Sequence, residues 1–260
     1  MTILPFRALY DSKQLLHVPL SVSVGVFDGI HRGHQLLIKN ITSRQDTKSA
    51  VITFRENPKA LLQGDRYLGD ITTWKQKVDI FSSYEVDYVI EIAFSSSFSQ
   101  LSGEEFLTIL AQGCDLRHVV IGENFHCGRG GRYSSREVRL FFTTHGIDVD
   151  IIPSLLYDGI HTVSSTRIRE QVLAGDFRTV NGLIHRAFSL DIADLPQYRR
   201  DDAMIILKDQ ITQPLPPPGI YRVRCILQKS STQSIVDIEV GDHDISVPVI
   251  ETIRELVFEV

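Results

Sequence analysis

Gly25-Val26-Phe27-Asp28-Gly29-Ile30-His31-Arg32-Gly33-His34 is the stretch that decides how the rest of the chain is read. It closes an apolar run, Ser21 to Phe27, with the character of a buried strand. Gln35-Leu36-Leu37-Ile38-Lys39-Asn40-Ile41 follows with helical patterning. The pattern is strand, glycine-punctuated turn, helix, with two imidazoles at the joint. A helix N-terminus presents unpaired N–H groups and the positive end of the macrodipole, so it suits an anion. Imidazoles there can donate to phosphate oxygens and to charge that develops during transfer. This predicts a nucleotide triphosphate site. The alternative is a pair of surface histidines or metal ligands, but a structural zinc site wants four ligands and none are spaced nearby. A P-loop is excluded, because no GxxxxGK[ST] run is present.

Working outward, composition bounds the partners. The chain has 260 residues, 43% hydrophobic and 23% charged, with a formal net charge of −5. That is ordinary for a globular protein of one large or two smaller domains. An acidic balance disfavours nucleic acid, so phosphate chemistry is expected in a local basic pocket. Cys114, Cys127 and Cys225 are far apart and form no CxxC pair. A disulfide framework is therefore not expected, and a reducing cytoplasm fits. Met1 to Lys13 lacks the features of a signal peptide. No apolar run approaches the ~20 residues of a membrane span, so no membrane partner is expected.

Strands are expected at Ser21–Phe27 and Ala50–Phe54, and the helix between them predicts a parallel pair. Glu56-Asn57-Pro58 reads as a turn, and Trp74–Tyr84 as a helix with Trp74, Val78 and Phe81 on one stripe. Further strands are expected at Val86–Ala93, His118–Ile121 and Asp148–Ile152, and a helix at Ser134–His145. Ser102-Gly103-Glu104-Glu105 is a capping-box signature opening a helix that should stop near Gly113. The alternation predicts an open, mostly parallel α/β sheet, whose ligands bind beyond the strands' carboxyl ends. After a break around Gly182–Asp194, a polar stretch leads to Ala203–Leu207, and a small all-β domain is expected, with alternation at Ile220–Leu227, Ser234–Val240 and Ile245–Val249. Ile250–Leu256 reads as a short helical piece, with a last strand at Val257–Val260.

Two further clusters carry chemistry. Val163-Ser164-Ser165-Thr166-Arg167-Ile168-Arg169-Glu170 puts hydroxyls at a helix start with arginines within the first turns; the bland alternative is a plain cap with solvated arginines. Hydroxyls donate to phosphate oxygens and an arginine fork matches them bidentately. With the opening motif it would clamp a triphosphate from both sides. Gly122-Glu123-Asn124-Phe125, leading to Arg129, Arg132, Arg136 and Arg139, would line a nucleotide pocket or be a solvated glycine loop.

Together these residues resemble the FAD synthetase (FMN adenylyltransferase) module of bacterial bifunctional riboflavin kinase/FAD synthetases, within the HxGH nucleotidylyltransferases. The resemblance rests on GVFDGIHRGH (25–34), LSGEEF (101–106), GENF (122–125) and SSTRIRE (164–170). It implies a Rossmann-like nucleotidylyltransferase domain over residues 1–185 and a barrel-like β domain over 186–260. It implies ATP contacts from Gly25, Phe27, Asp28, His31, Gly33, His34, Gly122, Ser164, Ser165, Thr166 and Arg169. His31, His34 and Arg169 would be catalytic. Phe54, Asn57, Pro58 and Asn124 would border the flavin. The family's FDPHP-like loop here reads Phe54-Arg55-Glu56-Asn57-Pro58, with the middle proline and histidine replaced.

The C-terminal part resembles the family's riboflavin kinase barrel through His185–Leu190 and Pro217-Pro218-Gly219-Ile220-Tyr221. It lacks the Pro-Thr-Ala-Asn motif that holds ATP and Mg²⁺ in the kinase step. The resemblance thus implies adenylyl transfer from ATP, with Mg²⁺, to FMN, giving FAD and pyrophosphate, beside a degenerate kinase domain. No metal ligand is assigned. FMN-supplying or flavin-accepting proteins are conceivable partners. Three alternatives stay open: a full bifunctional enzyme, a non-catalytic flavin or nucleotide sensor, and an HxGH transferase with another phosphorylated acceptor.

Overall fold

The structure, a computed structural model, describes residues 1–11, 16–228, 233–249 and 251–260. In chain order they form β1 (Thr2–Pro5), α1 (Ala8–Asp11), β2 (Leu16–Val24), α2 (Arg32–Thr42), β3 (Lys48–Phe54), α3 (Pro58–Gln63), α4 (Trp74–Ser83) and β4 (Tyr88–Ile92). Then come α5 (Gly103–Gly113), β5 (Cys114–Gly122), β6 (His126–Cys127), β7 (Tyr133–Ser134), α6 (Ser135–Thr144), β8 (Asp148–Ile152), α7 (Ser165–Leu173) and α8 (Phe177–Ile184). The rest is strand: β9 (Ser189–Asp191), β10 (Tyr198–Arg200), β11 (Ala203–Leu207), β12 (Gly219–Leu227), β13 (Gln233–Val240), β14 (Asp244–Val247) and β15 (Ile253–Phe258). Of Met1–Lys13, Ser12 and Lys13 lie outside the described residues. Two compact units result: Met1–Gly64 with Lys77–Leu156, and Asp65–Gln76 with Tyr157–Val260.

The first unit is built on a sheet of order β1-β4-β3-β2-β5-β8. Each of its pairings is parallel. This is the expected α/β architecture. β2 sits inside the sheet, where a strand is covered on both faces and must satisfy every polar group internally. Its serines do so. Ser21 Oγ lies 2.7 Å from His118 Nδ1, and Ser23 Oγ donates to the Val120 carbonyl at 2.8 Å. His118 Nε2 in turn meets Asp150 Oδ2 at 3.1 Å, so one polar relay crosses β2, β5 and β8. From β2 the chain steps to β3 and β4 on one side, then returns to place β5 on the other. The β2/β5 border is thus a topological switch point, where ligands of open α/β sheets bind beyond the strand ends.

Local signals explain the helices. Ser102 accepts from Glu105 N at 3.1 Å while Glu105 accepts from Ser102 N at 2.8 Å, the reciprocal box expected at the start of α5. A second box, Ser134 with Glu137, opens α6. α2 buries Gln35, Leu37, Ile38 and Ile41 on one face, and the helix packs on β2, β3 and β5. The expected Glu56–Pro58 turn continues into α3, because Asn57 caps it by accepting from Lys59 N at 3.1 Å and Pro58 suits the first helical position.

The second unit holds a seven-stranded antiparallel sheet, order β10-β11-β14-β13-β12-β15-β9, among the described residues. Its buried side includes Val223, Cys225, Ile238, Val240, Ile245, Val247, Leu256 and Phe258. The expected helix over Ile250–Leu256 is a correction. Ile250 lies outside the described residues, and Ile253–Phe258 is a strand. It pairs with β12 from Val223↔Phe258 to Leu227↔Ile253 and with β9 on its other side. The helical periodicity of so short a stretch cannot outweigh two ladders of backbone hydrogen bonds. Residues 65–76 join this unit through polar contacts. Gln213 Nε2 donates to the Ile71 carbonyl at 2.9 Å, Thr73 Oγ1 to Asp191 Oδ2 at 2.7 Å, and Gln76 Nε2 to Ser189 Oγ at 3.0 Å.

Candidate active site

The opening motif occupies the carboxyl end of β2. Between β2 and α2 the backbone is strained. Phe27, Gly29 and Ile30 have φ of 51°, 74° and 35°. Positive φ is natural for Gly29 and costly for an aromatic or β-branched residue, about 1–3 kcal/mol each. The burial of Phe27 and Ile30, both 0% exposed, holds them there. Phe27 packs edge-on to Phe81 of α4 with ring centroids 5.6 Å apart, and its ring centroid lies 5.0 Å from that of His34. Gln35 Nε2 donates to the Ile30 carbonyl at 3.0 Å. Buried Asp28 opens the short 3-10 turn between them.

His31 is the N-cap of α2, a place usually taken by Ser, Thr, Asp or Asn. Its Nδ1 accepts from His34 N at 3.3 Å, which leaves the ring proton on Nε2. The two imidazoles are stacked, with centroids 3.7 Å apart and planes 15° apart. Gly33 makes this possible, since a Cβ there would come within 3.2 Å of His31 Cε1 and Nδ1. His34 Nδ1 is buried with no hydrogen-bond partner. Burial first, then His31 and Lys77, push the His34 pKa well below 6.5, so the ring is neutral at neutral pH. A neutral His34 imidazole, stacked on His31 at a helix N-terminus, is a hydrogen-bonding group rather than a cation.

Two neighbouring strand ends complete this edge. Phe54 ends β3 and packs edge-on to Phe94 and Phe98 at 5.7 and 5.9 Å. Asn57 is buried with its oxygen held as the α3 cap, and Pro58 is the first residue of α3. Gly122 ends β5, and a Cβ there would meet nothing within 4 Å. Asn124 Nδ2 donates to Ser154 Oγ at 2.8 Å, and Glu123 accepts from Ser154 N at 2.9 Å. GENF therefore ties the end of β5 to the chain leaving β8.

Ser164, Ser165, Thr166 and Arg169 open α7 in the second unit. Ser164 is the N-cap and accepts from Arg167 N at 3.2 Å, as the hydroxyl cluster predicts. Arg169 is buried. Its Nε donates to the Gly69 carbonyl at 2.7 Å, its Nη2 to Tyr67 Oη at 3.1 Å, and its carbon lies 5.3 Å from the Tyr67 ring centroid. Lys77 was missed by the sequence reading. It is 2% exposed, and its Nζ donates to the Val26 and Phe54 carbonyls at 3.2 and 3.1 Å. The available signal was a lysine on the apolar stripe, three residues after Trp74 and four before Phe81.

Fold and site together define an open parallel α/β domain with an HxGH motif at its switch point. The sequence pattern of FAD synthetases matches residues 14–167, more than half of the chain, and the chain belongs to that family. It is 32% identical over 191 residues to a bifunctional riboflavin kinase/FMN adenylyltransferase of Buchnera aphidicola subsp. Schizaphis graminum, covering 71% of this chain and 60% of that protein. It is 28% identical over 166 residues to an FAD synthetase of Listeria monocytogenes, covering 63% and 67%. The chain spans about three fifths of the length of the two Buchnera relatives it matches. A solved structure described as a macrolide-efflux protein from Streptococcus pneumoniae shares the fold, with a TM-score of 0.80 at 20% identity over 98% of this chain and 88% of that one.

Proposed function

We propose that this chain is an FMN adenylyltransferase that makes FAD and pyrophosphate from FMN and ATP, without riboflavin kinase activity. The observation that carries this reading is the stacked His31–His34 pair on the α2 N-terminus at the β2/β5 switch point. An FMN phosphate oxygen forms a bond to the α-phosphorus of ATP while the bond from that phosphorus to the bridging oxygen breaks, releasing pyrophosphate. No protein nucleophile is needed, so catalysis is positioning plus charge stabilisation. His31 Nε2–H and His34 would donate to phosphate oxygens, with the α2 N–H groups beside them. Gly25, Phe27, Asp28, Gly33 and Gly122 would line the ATP site, and Ser164, Ser165, Thr166 and Arg169 would serve as further phosphate ligands. Phe54, Asn57, Pro58 and Asn124 would border the flavin.

Among the described residues no group of three or more His, Cys, Asp or Glu could hold a metal ion. Mg²⁺ would accompany the ATP phosphates as part of the substrate, keeping several waters. Residues 1–185 would carry the transfer, and 186–260 would be a degenerate kinase-like domain acting in the cytoplasm alongside proteins that supply FMN or accept FAD.

The test supplies ATP with either FMN or riboflavin and follows flavins and pyrophosphate. FAD from FMN alone is expected. FAD from riboflavin would favour the second reading, a bifunctional enzyme, to which the names of the Buchnera relatives point. No FAD from FMN would overturn the proposal. His31→Ala should lower kcat by about 10²–10³-fold, the usual loss for one transition-state donor. Near-normal kcat in a folded variant would remove that role.

A further inference from the structure

α4 places two residues of one helical face, Lys77 and Phe81, under the turn that joins β2 to α2. Phe81 meets the Phe27 ring edge-on. Lys77 reaches between two parallel strands, taking the carbonyl of Val26, two residues beyond β2, and that of Phe54, the last residue of β3. The Val26 carbonyl also accepts from Thr53 Oγ1 at 3.0 Å. Val26 immediately precedes Phe27, where the run of left-handed backbone begins. The lysine thus grips the base of the strained turn whose far end carries His31 and His34.

We propose that Lys77 is a positioning residue of the adenylyl-transfer site: its ammonium locks the Val26 and Phe54 carbonyls beneath the Phe27–Ile30 turn and sets a fixed positive charge behind His34. The inference rests on the function proposed above. A buried ammonium is an expensive way to join two strand ends, since an apolar residue of similar length often serves as well or better. The charge has a use in this position. Beside an imidazole that would bind phosphate, a preorganised cation favours negative charge at the site and needs no reorganisation during transfer. It also opposes protonation of His34. The groups acting on that ring are His31 on its own helix and Lys77 from α4, and both work in the same direction.

The experiment uses the full chain and two variants, Lys77→Gln and Lys77→Met, with folding checked by circular dichroism and thermal melting. The imidazole of His34 is titrated by nuclear magnetic resonance, and kcat and KM for ATP are measured with FMN as acceptor. With the cation gone, the His34 midpoint should move to higher pH. Turnover should fall by up to about 10²-fold, as for a misplaced reacting geometry, with a smaller change in KM. A plain structural prop would lower the melting temperature and leave the His34 midpoint where it was. A folded variant with an unmoved midpoint and normal kcat overturns the proposal. Loss of folding in both variants also overturns it, assigning Lys77 to the fold alone. If the unaltered chain makes no FAD, the functional reading fails, while the His34 titration still decides whether Lys77 acts on that ring.

Discussion

Gly33→Ala should separate activity from stability at the HxGH motif. Gly33 is the second residue of α2 and its φ is not positive, so alanine meets no backbone penalty there. In a helix alanine is favoured over glycine by about 0.5–1 kcal/mol. The new methyl carbon would lie 3.2 Å from both Cε1 and Nδ1 of His31, so the ring must give by a few tenths of an ångström. It cannot move freely, because it is stacked on His34 at 3.7 Å and its Nδ1 accepts from His34 N. Weakening that cap costs about 1 kcal/mol, close to the gain in helix propensity. Net stability should therefore change by less than about 1 kcal/mol, the difference of these two terms. Turnover should drop by about 10²-fold, because the donor on His31 Nε2 is displaced from its working position. The assay pairs urea unfolding with kcat and KM for ATP. An unchanged kcat would refute the reasoning. So would a rise in KM alone, which would mean that the methyl blocks ATP and leaves His31 in place.

Other outcomes follow from the same geometry. The folded His34 pKa is depressed below 6.5 by burial, His31 and Lys77, so below that pH the unfolded chain binds a proton that the folded chain refuses. The stability that His34 contributes is therefore complete above about 6.5 and lost as pH falls below it. Urea midpoints of the natural chain should decline relative to His34→Asn over that window, and parallel pH curves would contradict the assignment. In the second unit, Gly69 has a φ of +89°, and a Cβ there would stand 2.1 Å from the Thr212 carbonyl oxygen. Gly69→Ala should cost about 3 kcal/mol or more in urea unfolding, overpacking added to a left-handed alanine. A cost below about 1 kcal/mol would mean that the 65–76 segment yields easily, against the packing limit invoked here.

Much of the first unit was legible because its signals are local. Alternating strands and helices, the Ser102–Glu105 box and the glycine-rich joint at Gly25–His34 each depend on residues a few positions apart. The same holds for the hydroxyl cap at Ser164. The Ile250–Leu256 stretch went the other way: its short-range pattern suggested a helix, and ladders to β9 and β12 made it a strand. α3 was hidden for a related reason, since Asn57-Pro58 reads equally as a turn or as a cap followed by a first helical residue.

What the sequence alone determined about this protein is the HxGH joint, the parallel order that follows from crossover helices, and the residue types able to face a phosphate. These rest on backbone geometry and side-chain chemistry within a few residues. Tertiary structure alone decided which groups hold those residues in place. The Val26 carbonyl meets Lys77 from 51 positions away, and Arg169 meets the Gly69 carbonyl across 100. A lysine on an apolar stripe and an arginine after a hydroxyl cap have no fixed partner in one dimension. Only the folded chain brings a buried cation to the carbonyls that satisfy it.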